Sequence, residues 1–371
     1  MLRKLLWLTL LCGSLGILLL AQQKTTTAPV SSQDLTKTED MTKFLVTLQN
    51  VQAPVLVRDR NHSIVNGLLQ DQFQLFDNGK EQSLTSVDVT YTPISMVIAI
   101  QCNALADKIL PQVTRIGAML KPVLLGEQGE AAVIAYDSHV RLVQPFTSDA
   151  DDITKAIKNL HSGSTSARTL DAIEQSVYLL SHKDKSRRRI ILMIGEGRDG
   201  GSSARPRETL AKTQLTNVAV YWVDMSHIIG KLTEPAPDPR PNSMPPAAYP
   251  LPGGVPATPT TVDQTYGTNG YSADFVPLFV EAFKDVTKIF KVPTGALFTK
   301  GTGGSQFTFA TQRGLESAIS EISDQLHSQY LITYTPNNKE DGGFHKITVD
   351  VIGHDYKCDT RLGYYMSSKF N

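Results

Sequence analysis

A glycine-rich stretch of this 371-residue chain has the spacing of a dinucleotide-binding loop. Residues 195–200 (GEGRDG) match Gly-x-Gly-x-x-Gly directly after an apolar run, and Asp224 ends the next apolar run, where a ribose-binding acid would fall. The pattern requires a helix that begins at the glycines, so that the pyrophosphate meets the helix N-terminus. Because residues 202–207 intervene before the predicted helix, we favour an ordinary strand-to-helix loop.

Two further polar groups suggest catalysis or anion binding. Ser162, Ser164 and Ser166 lie beside His161 and resemble a nucleophile cluster, but a catalytic serine also needs a base oriented by a third group. We favour solubility and capping roles for these serines. Residues 183–189 (KDKSRRR) carry five basic side chains, which suit either an anion-binding patch or a solvated helix-to-strand connection. We favour the solvated connection.

The remaining candidate is the polar end of a strongly apolar run. Residues 96–100 are all apolar and lead into Gln101-Cys102-Asn103-Ala104-Leu105. Such a run is typical of a strand buried on both faces of a parallel sheet. Ligands of open parallel sheets bind beyond the carboxyl ends of the strands, so this turn lies where a site is expected.

The segments around that run alternate between strands and helices. Further strands are predicted at EAAVIAYD, VRLVQPF, RRRIILMIG, NVAVYWVD and QFTFA. Helices are predicted at ALADKILPQVTRIGAMLKPVL, DADDITKAIKNL, TLDAIEQSVYLLSH, RETLAKTQL and RGLESAISEISDQL. This alternation predicts an α/β domain with a doubly wound, mostly parallel sheet over residues 93–327. Within it, residues 226–272 are rich in proline and predict a long surface excursion, followed by an amphipathic core helix.

Both flanks of the central domain alternate with period two. The first flank, residues 42–92, includes APVLVRDRN and SLTSVDVTY, and the second, residues 328–366, includes QYLITYTP and FHKITVDVIG. Asn66-Gly67 and Asn78-Gly79 predict hairpins in the first flank. About fifty residues bury too little surface to be stable alone. We therefore predict one small antiparallel β-sandwich made from both flanks, with the central domain inserted between them.

The N-terminus has the features of a signal peptide. Arg3 and Lys4 precede an apolar run that ends at Ala21, and polar sequence follows. We predict a signal peptide over residues 1–21 and a flexible tether over residues 22–41, with a retained membrane anchor as the alternative. The chain would then be periplasmic, envelope-associated or secreted, and would meet the membrane only through an uncleaved leader. The 36 basic and 36 acidic residues balance, which gives no reason to expect nucleic acid as a partner.

Two cysteines, Cys102 and Cys358, remain after the leader. Two cysteines in an exported chain of this length are not a disulfide framework, so the core must hold the fold. One bridge between them is an alternative, but we favour two separate thiols because the residues lie in different predicted modules.

Four stretches of the sequence are informative when taken together: VLVRDRNHSIVNGLLQDQFQLFDNGKEQ, AVIAYDSHVRLVQPFTSD, GGSQFTFATQRGLESAISEISDQLHSQYLITYTP, and FHKITVDV with RLGYY. They resemble the VWFA-related domain family of acidobacterial exported proteins, and the resemblance covers residues 44–365. It implies a Rossmann-like sheet of the von Willebrand factor type A kind with a metal-ion-dependent adhesion site at its upper edge. That site uses Asp-x-Ser-x-Ser, a later Thr and an Asp after the fourth strand to hold a divalent cation.

This chain departs from the family pattern at most of those positions. Gln101, Asn103 and Leu105 stand where the family has Asp, Ser and Ser, and Glu196 corresponds to the later Asp. Thr165 corresponds to the Thr, with Thr169 as a substitute. Because one carboxylate remains and Leu105 has no ligand atom, we expect no metal and no other cofactor, beyond weak residual Mg²⁺ binding.

The expected function is non-catalytic protein binding or envelope assembly, independent of metal, through residues 101–105, 164–168 and 196–202. The partner is a protein that the sequence does not identify. The alternative is a hydrolase or oxidoreductase that uses the cleft at the carboxyl ends of the parallel strands. A third interpretation is a structural component of the envelope.

Overall fold

The computed structural model describes residues 50–88, 92–106, 109–226, 292–309 and 311–366. The predicted leader, tether, proline-rich excursion and the helix after it lie outside these residues, apart from Ser226. The strands are β1 (Val51–Arg58), β2 (Phe73–Asp77), β3 (Lys80–Gln82), β4 (Leu84–Asp88), β5 (Ile94–Gln101), β6 (Glu130–Tyr136), β7 (Val140–Thr147), β8 (Arg188–Gly195), β9 (Val218–Asp224), β10 (Gln306–Thr308), β11 (Tyr330–Tyr334), β12 (Gly343–Val351), β13 (Lys357–Thr360) and β14 (Gly363–Met366). The α-helices are α1 (Leu110–Met119), α2 (Ala150–Lys158), α3 (Thr169–Ser181), α4 (Pro206–Leu215), α5 (Thr294–Thr302) and α6 (Gln312–Ser328).

A six-stranded sheet forms the central part of the fold. Its strand order is β10-β9-β8-β5-β6-β7, in which only the β6–β7 pair is antiparallel. All eight residues of β5 are buried, as expected for a strand covered on both faces. The predicted α/β class with a doubly wound, mostly parallel sheet is confirmed.

The two faces of this sheet bury separate apolar clusters, and the period of two along β5 decides which residue faces which cluster. Met96, Ile98 and Ile100 pack with α1, α2 and α6 on one face. Val97 and Ala99 pack with α3, α4 and α5 on the other. Loops at either end of the sheet are thus fixed between two close-packed helical layers.

Helix α1 begins later than predicted. The predicted helix includes the residues after Asn103, but α1 starts at Leu110, so that Pro111 lies in the first turn, where its missing N–H is not needed. Beyond α1, Leu120–Leu125 continues as a π-helix, and the Gly126 N–H donates to the Lys121 carbonyl at 3.0 Å. Pro122 has no N–H for the α-helical ladder, which accounts for the wider turn.

Two antiparallel sheets form the predicted sandwich. Their orders are β13-β1-β11-β4 and β14-β12-β2-β3, so each sheet combines strands from both flanks of the chain. Fifteen buried apolar residues, among them Val55, Leu75, Ile332 and Val349, form their common core. A central domain inserted into a split β-sandwich is therefore the observed architecture.

One of the two predicted hairpins is present. Asn78 and Gly79 join β2 to β3 with φ of 51° and 79°, the two positive values of a type I′ turn. The prediction at Asn66-Gly67 is wrong, because the strands before and after it, β1 and β2, lie in different sheets. Its neighbours are held by Tyr330, whose hydroxyl donates to the Val65 carbonyl and accepts from the Leu68 N–H, each at 3.0 Å.

A polar cluster lies inside the sandwich around the fully buried Asp77. Its carboxylate accepts from His345 Nδ1 at 2.7 Å, from the Tyr364 hydroxyl at 2.7 Å and from the Tyr334 hydroxyl at 3.0 Å. Asn338 Nδ2 donates to it at 3.1 Å. Burial by itself raises the pKa of Asp77, but the hydrogen bonds led by that from His345 outweigh it and hold the pKa below 3.8.

Cys102 and Cys358 have free thiols; Cys102 is buried and Cys358 is half-buried. Burial raises the pKa of each thiol to about 12. Within the described residues no helix is long and apolar enough to cross a membrane.

Candidate functional site

The predicted site lies at the carboxyl ends of β5, β6 and β8, where three loops are joined by backbone hydrogen bonds. We define the rim as residues 101–105, 164–168 and 196–202. The Ala104 N–H donates to the Ser164 carbonyl at 2.8 Å, and the Gly200 N–H donates to the Ala167 carbonyl at 2.7 Å. These bonds hold the loops in one arrangement, so the rim is a preformed surface.

Gln101, the last residue of β5, is the centre of the rim. Its side chain is fully buried. Its Oε1 accepts from the Glu196 N–H at 2.8 Å, and its Nε2 donates to Asn103 Oδ1 at 3.1 Å. The amide therefore joins the loop after β5 to the loop after β8, and its oxygen is already used by the protein.

Asn103 closes the turn that follows β5. Its Oδ1 accepts from the Ala106 N–H at 3.2 Å as well as from Gln101, and its Nδ2 donates to the Thr165 carbonyl at 3.4 Å. Leu105, two residues further on, is 39% exposed and is the exposed large apolar side chain of the rim. The turn thus buries its amides and presents a leucine.

Thr165 and Glu196 also lie at the rim, where their backbone groups contact the buried amides. Asn103 Nδ2 donates to the Thr165 carbonyl, and Gln101 Oε1 accepts from the Glu196 N–H. Thr165 is exposed and Glu196 half-buried. Thr169, the substitute, is buried and donates through Oγ1 to the Arg198 carbonyl at 2.7 Å.

Sequence reasoning missed Asp137, which follows β6 directly. Its side chain is 2% exposed and accepts from the His139 N–H at 2.8 Å and from Arg141 Nη1 at 3.0 Å. Its carbonyl accepts from the Arg168 N–H at 2.8 Å, which fixes the loop before α3. Burial by itself raises the pKa of Asp137, but the His139 and Arg141 hydrogen bonds hold it below its usual range. A carboxylate placed directly after an apolar strand was the available signal.

The glycine-rich loop has the features of an ordinary connection. Residues 196–205 separate β8 from α4, which begins at Pro206. Asp199 Oδ1 accepts from the Leu170 N–H at 3.0 Å and so serves the first turn of α3. Asp224 Oδ2 accepts from Gln306 Nε2 at 3.0 Å. The carboxylate that a ribose would need is thus already bonded within the protein.

The serine cluster does not form a catalytic arrangement. Ser164 Oγ accepts from the Ser138 N–H at 2.9 Å, a structural bond between loops. The nearest Ser-His-Asp grouping is Ser138, His139 and Asp137, but Ser138 Oγ at 2.9 Å and Asp137 Oδ1 at 4.0 Å both approach Nδ1 of the imidazole. A catalytic base uses one ring nitrogen for the serine and the other for the orienting carboxylate.

Sequence comparison supports the nature of the central part. Residues 108–198 match the family model described as von Willebrand factor type A domain. The central domain is related to von Willebrand factor type A domains. The matched segment begins after residues 101–105, covers the rim loop 164–168 and ends within the rim loop 196–202. Comparison with curated protein sequences finds no match.

Solved structures match this chain at low identity and with TM-scores below 0.5. An aerotolerance-related membrane protein from Bacteroides fragilis is 12% identical, with 62% of this chain and 99% of that chain covered and a TM-score of 0.38. The conserved hypothetical protein BatB from Bacteroides thetaiotaomicron is 13% identical, with coverages of 62% and 99% and a TM-score of 0.35. Proximal thread matrix protein 1 from the mussel byssus is 10% identical, with coverages of 65% and 49% and a TM-score of 0.39. The family relation rests on the sequence match.

Proposed function

We propose that this chain is an exported, non-catalytic protein whose von Willebrand factor type A domain binds a protein partner through the rim without a bridging metal ion. The signal peptide predicted over residues 1–21 supports export. Protein interaction is the usual role of the domain type matched by residues 108–198. The arrangement of Gln101 carries the metal-independent part of the proposal.

The residues at the rim do not fit the divalent cation that the family resemblance implies. A hard cation prefers several oxygen ligands, including carboxylates. Gln101 Oε1 is buried, uncharged and already accepts from the Glu196 N–H, so only one of its two lone pairs is left and it is a poorer cation ligand than a carboxylate. Leu105 has no donor atom, and Glu196 is the one carboxylate among the five positions predicted for the site. Among the described residues no three His, Cys, Asp or Glu side chains form a metal-binding group.

Shape and apolar contact support partner binding at the rim. Leu105 and Thr165 are exposed next to buried amides, so a partner would meet an apolar side chain with backbone groups around it. A preformed surface loses little conformational entropy on binding. Recognition in this arrangement depends on contact and hydrogen bonding, not on a shared cation.

A capture experiment with matched variants tests the proposal. The mature chain is immobilised and exposed to cell-envelope extract from its source, with Mg²⁺ or with EDTA. We expect the same captured protein under both conditions, loss of capture with Leu105→Glu, and full capture with Ile352→Glu. Ile352 is 50% exposed in the turn between β12 and β13. Ile352→Glu therefore adds the same negative charge as Leu105→Glu, but on the sandwich.

Two results would contradict the proposal. Capture that EDTA abolishes, together with saturable Mg²⁺ binding in calorimetry, would make the rim a metal site. Capture that Leu105→Glu leaves unchanged while Ile352→Glu removes it would move the binding surface to the sandwich.

A further inference from the structure

A cleft of about 230 Å³ separates the amino ends of the central strands from the sandwich. Arg189 and Val218, near the starts of β8 and β9, line one wall. Pro54 of β1 and Leu331 of β11, which are register partners, line the other. The cleft is therefore at the opposite end of the sheet from the rim.

The walls of this cleft are strongly basic. The charged residues that line it are Lys185, Arg187, Arg188, Arg189 and Arg361, with Asp88 as the acidic residue. Glu130 Oε1 lies 3.3 Å from Arg187 Nε and neutralises that charge. Arg188, Arg189 and Arg361 have no carboxylate in ion-pair contact among the residues that the structure describes. Part of the basic run is thus drawn into a cleft, in contrast to the fully solvated connection favoured from sequence.

Several buried polar atoms of the cleft residues have no hydrogen-bond partner. Arg189 donates through Nη1 and Nη2 to two backbone carbonyls, at 3.0 and 2.8 Å, but its buried Nε has no acceptor. Arg361 is only 3% exposed, and its Nε also has no acceptor. Asn217 presents a buried Oδ1 without a donor. All three residues line the cleft, and each has a buried polar atom without a partner among the described residues.

We propose that this cleft binds inorganic hydrogen phosphate. The guanidinium groups of Arg189 and Arg361 would donate to phosphate oxygens, and Asn217 Oδ1 would accept from the phosphate O–H. Guanidinium groups are well suited to phosphate because their N–H groups form a planar fork. The orphan acceptor is the reason to choose a protonated oxyanion, since sulfate has no O–H to donate at neutral pH.

Electrostatics favour the same occupant. Burying a guanidinium is unfavourable, and removing Arg361 from water lowers its pKa below the usual range, although the nearby Tyr334, Tyr364 and Asp77 oppose that shift. Three guanidinium groups without carboxylate partners face one lining carboxylate, Asp88, which leaves room for a dianion. Because the cleft has one wall from β8 and β9 and the other from the sandwich, a bound phosphate would join the two parts.

Calorimetry and thermal unfolding of the mature chain test this site. Phosphate is titrated to about 20 mM at constant ionic strength, with chloride as the replaced anion. We expect saturable binding and a matching rise in the unfolding midpoint, because a ligand that binds only the folded state stabilises it. Sulfate should bind at least about fivefold more weakly, since Asn217 Oδ1 would then remain unpaired.

Charge variants of opposite sign supply the controls. Arg361→Gln should weaken phosphate binding at least about tenfold, and Lys185→Gln about twofold to fivefold. Asp88→Asn should tighten it, a direction that general damage to the fold cannot produce. Arg205→Gln, a change of the same charge at an exposed arginine beside α4, should leave binding unchanged.

Three results would contradict the proposed phosphate site. The absence of saturable phosphate binding by the wild-type chain would overturn the proposal, as would equal affinity for sulfate. If Arg361→Gln does not fold, the phosphate affinities of Lys185→Gln and Asp88→Asn still test the site. Phosphate affinity unchanged from the wild type in both variants would refute it.

Discussion

Replacing Gln101 with leucine tests whether this amide is a structural tie between loops. The substitution keeps a side chain of similar size but removes the acceptor of the Glu196 N–H and the donor to Asn103. Leaving a largely buried N–H without a partner costs about 1 to 3 kcal/mol, and the lost bond to Asn103 adds about 1 kcal/mol. Asn103 Oδ1 retains the Ala106 N–H, which limits the second loss. We expect Gln101→Leu to lower the free energy of unfolding by about 2 to 4 kcal/mol.

Urea denaturation followed by circular dichroism measures this difference, and Gln112→Leu is the matched control. Gln112 Oε1 is buried without a donor, so the same substitution there should be neutral or slightly stabilising. If the free energy of unfolding of Gln101→Leu lies within about 0.5 kcal/mol of the values for Gln112→Leu and the wild type, the Gln101 amide does not tie the two loops together. The argument that the protein itself holds this oxygen, which makes it a poor metal ligand, would then fail.

Three further outcomes follow from contacts elsewhere in the fold. Gly195→Ala should destabilise by about 3 kcal/mol in urea denaturation, because its Cβ would stand 2.2 Å from the Tyr136 hydroxyl oxygen; wild-type stability would refute the close approach. Cys102 and Cys358 should resist alkylation at neutral pH in the folded chain and both react in urea, since burial raises both pKa values to about 12 and neither is bridged. Resistance that persists in urea without reductant would indicate a disulfide. Asp77 has a lowered pKa, so its contribution to stability is complete above pH 3.8 and is lost as the pH falls through the lower folded value. The stability difference between wild type and Asp77→Asn should therefore shrink below about pH 4, and a difference independent of pH would contradict the buried carboxylate's role.

The sequence predicted the elements whose signal is local. The apolar run of β5 predicted a strand covered on both faces, and all eight of its residues are buried between two helical layers. Asn78 and Gly79 predicted a turn because a type I′ turn needs two successive positive φ values, which Asn and Gly adopt more readily than other residues. The split sandwich followed from a size argument, because neither flank can bury a core alone.

The contacts that define the rim and the cleft were not predictable because they join distant parts of the chain. Gln101 bonds to a backbone group 95 residues away, and no pattern of residue types reveals which amide will be used by its own protein. Asn66-Gly67 has the same turn chemistry as the true hairpin, but Tyr330, from the far flank, holds its neighbours instead. The burial of Arg361 likewise depends on how the sandwich packs, which the residues around it do not encode.

Strand β8 connects the two proposed sites and explains why they should act separately. Arg188 begins it beside the cleft and Gly195 ends it before the rim, a span of about 23 Å at 3.3 Å per residue. That distance exceeds the Debye length of about 8 Å at physiological ionic strength, so phosphate charge in the cleft is screened before it reaches Glu196. From Ile190 to Gly195 the strand is buried, and a close-packed strand would carry coupling only if it had two discrete arrangements. Because the sandwich meets the central sheet at the cleft, it lies at the opposite end of the sheet from the rim. Phosphate should therefore raise the unfolding midpoint without changing capture by the rim, and capture that responds to phosphate in the wild type but not in Arg361→Gln would show that the ends are coupled.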